Sequence, residues 1–313
     1  SPADVPIHRS DFLLNTFVDI AIYDSRDESI LDGAMALCRE YENRFSRTLS
    51  GSEVYRLNHR EDATGTYPLS DDMTDLLATA LYYCERSGGA FDITTEPLSS
   101  LWNFSGTSPS VPPAEAIEKA RKKVDYKKLR LDGTRSTLTF LDPGTSIDLG
   151  AIAKGYIADQ LKAYLLDSGV ESAMINLGGN VLCVGSRPDG TPFTVGLQKP
   201  FADRNETFAR VEVSDLSVVA SGVYERHFVE DGKNYHHILD PSTGYPYDNG
   251  LISVTILSER SVDGDALSTT CFSLGLSRGM ELVESMDGVY ACFIDEDYQI
   301  HYSDGMEKFL RKD

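Results

Sequence analysis

One junction near the C-terminal end constrains this chain more than any other. The run Leu251 to Leu257 is apolar and β-branched and reads as a strand. Asp263-Gly-Asp-Ala-Leu-Ser-Thr-Thr270 leads from it into an apolar helical run through Cys271, Phe272 and Leu274. Asp265 and Thr269 are four apart, so a helix stacks them on one face, a turn apart. The expected helix start puts Asp265 in the first turn, where unpaired N–H groups and the helix dipole favour anions. A carboxylate with a hydroxyl is an all-oxygen pair that suits Mg²⁺ or Ca²⁺ and suits zinc poorly. A helix start that offers a metal and free N–H groups is also a pyrophosphate site. The plainer reading stands beside it: an Asp in a first turn often caps, and a Thr at i+4 often bonds back to a carbonyl.

With 313 residues the chain can build one large or two ordinary domains with a substantial core. Its 41% hydrophobic and 25% charged residues are ordinary for a soluble globular protein. No apolar run is long enough to span a membrane. The net charge of −20 opposes binding to nucleic acid and to anionic membrane surfaces. An anionic substrate would therefore need a local cation, such as a metal. Five scattered cysteines without a CxxC argue against zinc and thioredoxin-like chemistry, and Cys271 and Cys292 read as core thiols. The start at Ser1 without Met fits a removed signal peptide or an artificial boundary.

In chain order, residues 1–10 read as a tail and Phe12 to Tyr23 as one strand. Ser29 to Phe45 carries apolar residues at helical spacing, and Ser46 to Asn58 reads as loop. Ser70 can cap a helix to Arg86 that Gly88-Gly89 stops, and a loop with the lone Trp102 follows. Pro112-Pro113 opens a basic helix to Val124 whose Lys119, Arg121, Lys122 and Lys123 read as a solvated face. Thr137 to Leu141 and Ser146 to Leu149 read as short strands, then Asp148-Leu-Gly-Ala-Ile-Ala-Lys-Gly155 enters a helix to about Asp167. Such a turn makes a phosphate cradle or simply a tight turn with its lysine in solvent; it is neither GxGxxG nor a P-loop.

Met174 to Leu177 leads into Gly178-Gly179-Asn180, a turn that needs positive φ. Phe193 to Gln198 and Ala209 to Val213 read as strands. Adjacent His236 and His237 in a strand point to opposite sides, so they are no metal pair, and one of them can serve as a general base or be merely structural. The strands Val289 to Ile294 and Tyr298 to Tyr302 flank an exposed acidic turn, Asp295-Glu-Asp297. Without repeats or linkers, one interleaved α+β unit over residues 11–313 is the economical fold, with a mixed or antiparallel sheet and flanking helices.

Six segments in this order carry a resemblance: Ala90-Phe-Asp92, Asp148 to Gly155, Gly178-Gly179-Asn180, Ser221-Gly-Val-Tyr-Glu-Arg226, His237-Ile-Leu-Asp-Pro-Ser-Thr-Gly244 and Asp265-Ala-Leu-Ser-Thr269. Together they resemble the ApbE family of FAD:protein FMN transferases, from roughly Phe12 onward. Near the N-terminus Ser46, Ser52-Glu53 and Leu57-Asn58 are similar to the family pattern more loosely. The resemblance implies Mg²⁺ held by Asp265, the Thr269 hydroxyl and the Ala151 carbonyl, with Ser268 nearby. It implies FAD contacts at Ala90, Phe91, Asp92, Asp148, Lys154 and Ile238, with walls from Gly178, Gly179, Asn180, Ser221 and Gly222. It makes His237 the base that activates a threonine hydroxyl of the acceptor, with AMP leaving from FAD.

The family resemblance also implies acceptors among subunits of ion-pumping redox complexes and FMN-binding domains, and an extracytoplasmic, lipid-anchored location. Family acceptor threonines lie in a Ser/Thr-Gly-Ala-Thr-like motif that this chain lacks in clear form, which argues against self-modification. Two other activities share the same expected pocket: an Mg²⁺-dependent FAD pyrophosphatase with water as nucleophile, and a flavin carrier without turnover. The intact Asp265, Thr269 and His237 argue against the carrier.

Overall fold

The computed structural model describes residues 5–312. Its elements are β1 (Ile7–Leu13), β2 (Thr16–Ile22), α1 (Glu28–Phe45), α2 (Glu53–Asn58), β3 (Gly65–Pro68), α3 (Asp71–Arg86), α4 (Glu96–Trp102) and α5 (Ala114–Arg121). There follow β4 (Leu129–Asp132), β5 (Thr137–Phe140), α6 (Ala153–Asp167), β6 (Ala173–Leu177), β7 (Asn180–Val184), β8 (Phe193–Gln198) and β9 (Thr207–Val213). The last are β10 (Ser217–Gly222), β11 (His227–Glu230), β12 (Lys233–His236), β13 (Leu251–Ser258), α7 (Ser261–Leu274), α8 (Leu276–Glu284), β14 (Tyr290–Asp295) and β15 (Ile300–Tyr302).

Among the described residues the main sheet has eight strands in the order β1-β2-β6-β7-β10-β13-β14-β15. Every pairing in it is antiparallel, so the parallel component allowed by a mixed sheet is absent there. One face is covered by helices. The largest apolar cluster joins Ile20 and Ile175 of the sheet to Leu31 of α1, Leu161 of α6 and Leu267 of α7. The other face is covered by the β8–β9 hairpin, where Phe193, Val195 and Val211 meet Val218, Leu257 and Cys292. Covering both faces explains why β7 and β13 are buried at every position and read as unbroken apolar runs. The first core draws on residues from Leu13 to Phe293, so one hydrophobic interior spans the chain.

Several local readings need correction. Phe12 to Tyr23 is not one strand: Leu14 and Asn15, both with positive φ, turn the chain between β1 and β2. β1 begins at Ile7, so residues 7–10 belong to the sheet and not to a tail; residues 1–4 and 313 lie outside the described residues. The Ser46–Asn58 stretch contains α2, capped by Ser52, whose hydroxyl accepts from Tyr55 N at 2.9 Å. Trp102 sits in α4, with its indole N–H donating to the Gly244 carbonyl at 2.9 Å. Ser146 to Leu149 pairs with no strand. The Asn58 side chain instead brackets Ile147, accepting from its N–H at 2.7 Å and donating to its carbonyl at 2.8 Å.

Candidate functional site

A cleft of about 1360 Å³ opens where loops from many parts of the chain converge. The β1–β2 turn, the end of α1, the Ala90–Ile93 loop, the turn into α6, the β6–β7 turn, β8, the Ser221–Arg226 segment, His237 and one face of α7 line it.

α7 begins at Ser261, which makes Asp265 its fifth residue and not a first-turn residue. The first two N–H groups of this helix are taken by a side chain: Asp159 of α6 accepts from Ser261 N at 2.8 Å and Val262 N at 2.9 Å. Burial raises the Asp159 carboxyl to about 6, while those two N–H bonds pull it back down. The helix start is therefore capped by protein, and the expected anion site there is not available. Asp265 and Thr269 do share the cleft-facing side of α7, a turn apart.

Asp265 is 7% exposed. Its Oδ2 accepts from Gly155 N at 2.9 Å, which leaves Oδ1 for a ligand. Burial raises its carboxyl to about 7, against the Gly155 N–H, Lys154 and the neighbouring Asn180 side chain, which all favour the charge. Among the described residues the buried Asn180 Nδ2 finds no hydrogen-bond partner. The Thr269 hydroxyl lies 3.3 Å from Ser221 Oγ, which also meets Ser268 Oγ at 2.7 Å. Ser268 is fully buried and its hydroxyl donates to the Asp265 carbonyl at 2.9 Å. It stands behind the wall and braces Ser221 and Asp265 without lining the cleft.

Gly222 also sits off the cleft surface, where a Cβ would come within 2.6 Å of the Tyr224 ring. Gly178 and Gly179, at φ 62° and 100°, form the tight loop between paired Leu177 and Asn180, as a two-residue hairpin requires. Ala90, Phe91, Asp92, Asp148, Ala151, Lys154 and Ile238 all line the cleft. The Asp92 carboxylate is engaged by Thr94 N at 2.8 Å, the Thr94 hydroxyl at 2.6 Å and Tyr126 N at 3.1 Å, so it holds its own loop in shape. Asp148 accepts from Gly150 N at 2.8 Å and stands 3.6 Å from Arg47 Nε.

His236 and His237 part company as expected of neighbours. His236 ends β12 and is buried; its Nε2 donates to the Tyr247 carbonyl at 2.8 Å and its Nδ1 accepts from Ile238 N at 3.2 Å. His237, just past the strand, lines the cleft, and its buried Nδ1 completes no hydrogen bond among the described residues. It does not titrate near neutrality: burial, then Arg226, His236 and Lys154, push it down to about 3. His237 is thus a neutral imidazole at physiological pH.

A charged cluster faces this histidine. Burial lowers the Lys154 ammonium, as do Arg226 and Arg204, while Asp265 and Glu225 raise it. Glu225 lines the cleft with its side chain exposed there, and desolvation by the groups around it raises its carboxyl against Lys154, Arg226 and Arg204. Lys154, Arg204 and Arg226 thus stand together in the cleft beside Glu225 and Asp265, while a fourth cation, Arg47, is held by Asp148; the cluster offers cations to an anion in a chain of net charge −20. Glu225 and Arg226 were visible in the Ser221–Arg226 motif without being singled out; Arg204, on the β8–β9 loop, and Asp159 carried no local signal at all.

The model of the ApbE family matches residues 14–294. The chain belongs to the ApbE family. Within it, a FAD:protein FMN transferase of Klebsiella pneumoniae is 37% identical over 93% of this chain and 90% of its own length. One of Treponema pallidum is 32% identical over 97% of this chain and 88% of its own length. The crystal structure of an ApbE protein from Thermotoga maritima matches with a TM-score of 0.89 and 32% identity, covering 98% of this chain and all of that one. The flavin transferase ApbE from Vibrio cholerae matches with a TM-score of 0.86 and 27% identity, over 97% and 99% of the two chains. The antiparallel α+β architecture described above is thus the ApbE fold.

Proposed function

We propose that this chain transfers FMN from FAD to a threonine hydroxyl of an acceptor protein and releases AMP, with Mg²⁺ bound at α7. The observation that carries the reading is one arrangement. Asp265 and Thr269 present oxygens from one helix face into a cleft that also holds Lys154, Arg204, Arg226 and a neutral His237. The names of the relatives support it.

The donor set fits the ion. Asp265 Oδ1, the Thr269 hydroxyl and the carbonyl of Ala151 are hard oxygens, and Mg²⁺ keeps few protein ligands and completes its shell with water and phosphate. A carboxylate pushed up to about 7 by burial is short of a counter-charge that a cation would supply. When bound, Mg²⁺ neutralises charge on the pyrophosphate oxygens.

The residues do the rest. Lys154, Arg204 and Arg226 draw the two phosphates in, and positioning with charge neutralisation is most of what phosphoryl transfer needs. The acceptor oxygen forms a bond to the FMN-side phosphorus as the bond from that phosphorus to the bridging oxygen breaks. The hydroxyl proton passes to the His237 imidazole, and AMP leaves with the bridging oxygen. An arriving pyrophosphate offsets Arg226 and Lys154, two of the groups that depress His237, and so makes it a stronger base when it is needed. Our reading extends to the family's setting: acceptors among FMN-binding domains and subunits of ion-pumping redox complexes, outside the cytoplasm, at a lipid anchor.

The test is incubation with FAD, Mg²⁺ and an FMN-binding domain, followed by intact mass and nucleotide chromatography. We expect the acceptor to gain one FMN mass as AMP appears. FMN and AMP accumulating beside an unmodified acceptor would make the chain a pyrophosphatase, and bound, intact FAD would make it a carrier.

A further inference from the structure

The β8–β9 hairpin forms a sheet of its own among the described residues, and β8 has no second partner. Val195, Gly196, Leu197 and Gln198 of β8 all line the cleft. Successive side chains of a strand point to opposite faces, so four consecutive lining residues mean that the cleft meets the edge of β8 and not one of its faces.

The direction of the main-chain groups on that edge follows from the far side of the hairpin. Arg311 N donates to the Arg210 carbonyl at 2.9 Å, across an antiparallel bridge between Val211 and Leu310. Arg210 therefore turns its carbonyl away from β8. Along a strand the N–H and C=O of one residue share a side and those of the next take the other. Val211 accordingly turns inward to its partner Val195, and Gly196, opposite Arg210, turns its N–H and C=O outward. Among the described residues, no main-chain group outside the hairpin bonds to Val195, Gly196 or Leu197. Gly196 is exposed and has no side chain to screen these groups.

We propose that this edge is where the acceptor protein docks, as an extended segment that adds a strand to β8 and exchanges hydrogen bonds with Gly196. The inference rests on the transferase reading. That reaction needs a second substrate in the same cleft, and about 1360 Å³ exceeds the roughly 300–1,000 Å³ of a small-molecule site. Strand addition binds through main-chain groups, so it can hold acceptors of differing sequence and leave choice to the side chains around the hydroxyl. The edge runs from the cleft toward Arg204 on the β8–β9 loop, so a strand laid along it passes beside the cationic cluster.

The first test is amide exchange at single-residue resolution, with FAD alone and with FAD plus an acceptor domain whose reactive threonine is valine. Gly196 N–H should slow at least tenfold only when the acceptor joins, while Val195 N–H, already paired, stays as it was. Protection of Gly196 by FAD alone, or none when the acceptor binds, overturns the proposal. The second test compares Gly196→Pro, which removes the N–H, with Gly196→Ala. Both variants are made with Thr207→Ser, because a Cβ at 196, which Pro and Ala share, would meet the Thr207 methyl at 2.5 Å. The Pro variant should raise the KM for acceptor at least tenfold and the Ala variant should not; equal losses overturn the proposal. A wild-type chain that modifies no acceptor sinks the transferase reading, and the exchange experiment still decides whether the edge is used.

Discussion

Gly155 N donates to Asp265 Oδ2 at 2.9 Å, and this bond ties the start of α6 to the cleft-facing side of α7. Only glycine permits it: a Cβ at 155 would lie 2.3 Å from the Ser261 carbonyl and 2.7 Å from Asp265 Cβ. One turn further along α6, Asp159 holds the first N–H groups of α7. α6 is thus the template against which the α7 oxygens are placed, with Oδ1 of Asp265 left to the cleft.

Gly155→Ala should therefore push α7 away from α6. The obstacle is backbone, which cannot swing aside as a side chain can. We expect a loss of about 1–3 kcal/mol in denaturant unfolding, typical of overpacking. A weaker response of the melting temperature to added Mg²⁺ should accompany it. Unchanged stability would show that the helices separate without cost.

Asp265 sets a pH dependence of the ligand-free protein. Its folded carboxyl titrates at about 7, above the ordinary range near 4, so the folded state holds this proton more tightly than the unfolded chain. Its contribution is present at low pH and lost as pH rises from about 4 through 7. The melting temperature without ligand should fall between pH 5 and pH 8. Asp265→Asn should flatten that fall, removing up to ~4 kcal/mol of pH-dependent stability at one unit per 1.36 kcal/mol. Glu225, raised in the same direction, should keep a residual slope in the variant.

Metal affinity should follow the same carboxyl. An ion at Asp265 competes with its proton, so the apparent affinity for Mg²⁺ should drop about tenfold per pH unit below 7. Calorimetric titration at three pH values measures this directly. Thr269→Val should weaken binding at each pH without altering the slope, since a hydroxyl carries no titrating proton in this range.

His237→Ala should lower transfer by roughly 10²–10⁴-fold, the usual contribution of a general base. Binding of FAD, followed by flavin fluorescence, should change far less. Because burial and Arg226 hold the imidazole near 3, a step near pH 7 in the free enzyme's kcat/KM profile belongs to the cleft carboxyls and should persist in the residual activity of His237→Ala. A step near pH 6.5 that His237→Ala abolishes would mean that the imidazole itself titrates there.

Much of the fold was legible. Helical spacing marked α1 and α3, and Ser70 caps α3 as its position suggested, accepting from Met73 N at 3.2 Å. The misreadings came where side chains replace local signals. Leu14 and Asn15 make a turn without glycine, and Asn58 takes the main-chain bonds that would have made Ser146 to Leu149 a strand. The apparent helix start at Asp263 misled for the same reason, since α7 begins two residues earlier on a cap supplied by α6.

The sequence by itself determined the α+β class, the family and the spacing that stacks Thr269 over Asp265, because helical period and ordered motifs are properties of neighbours along the chain. It could not determine which groups would share one volume. Tertiary structure decided that Ser268 faces inward, that Asp159 and not a ligand caps α7, and that Arg204 from a distant loop joins Lys154 and Arg226. It also decided the protonation of the site. Burial raises Asp265 and depresses His237, and burial is the sum of everything packed around a group, which no stretch of residues carries alone.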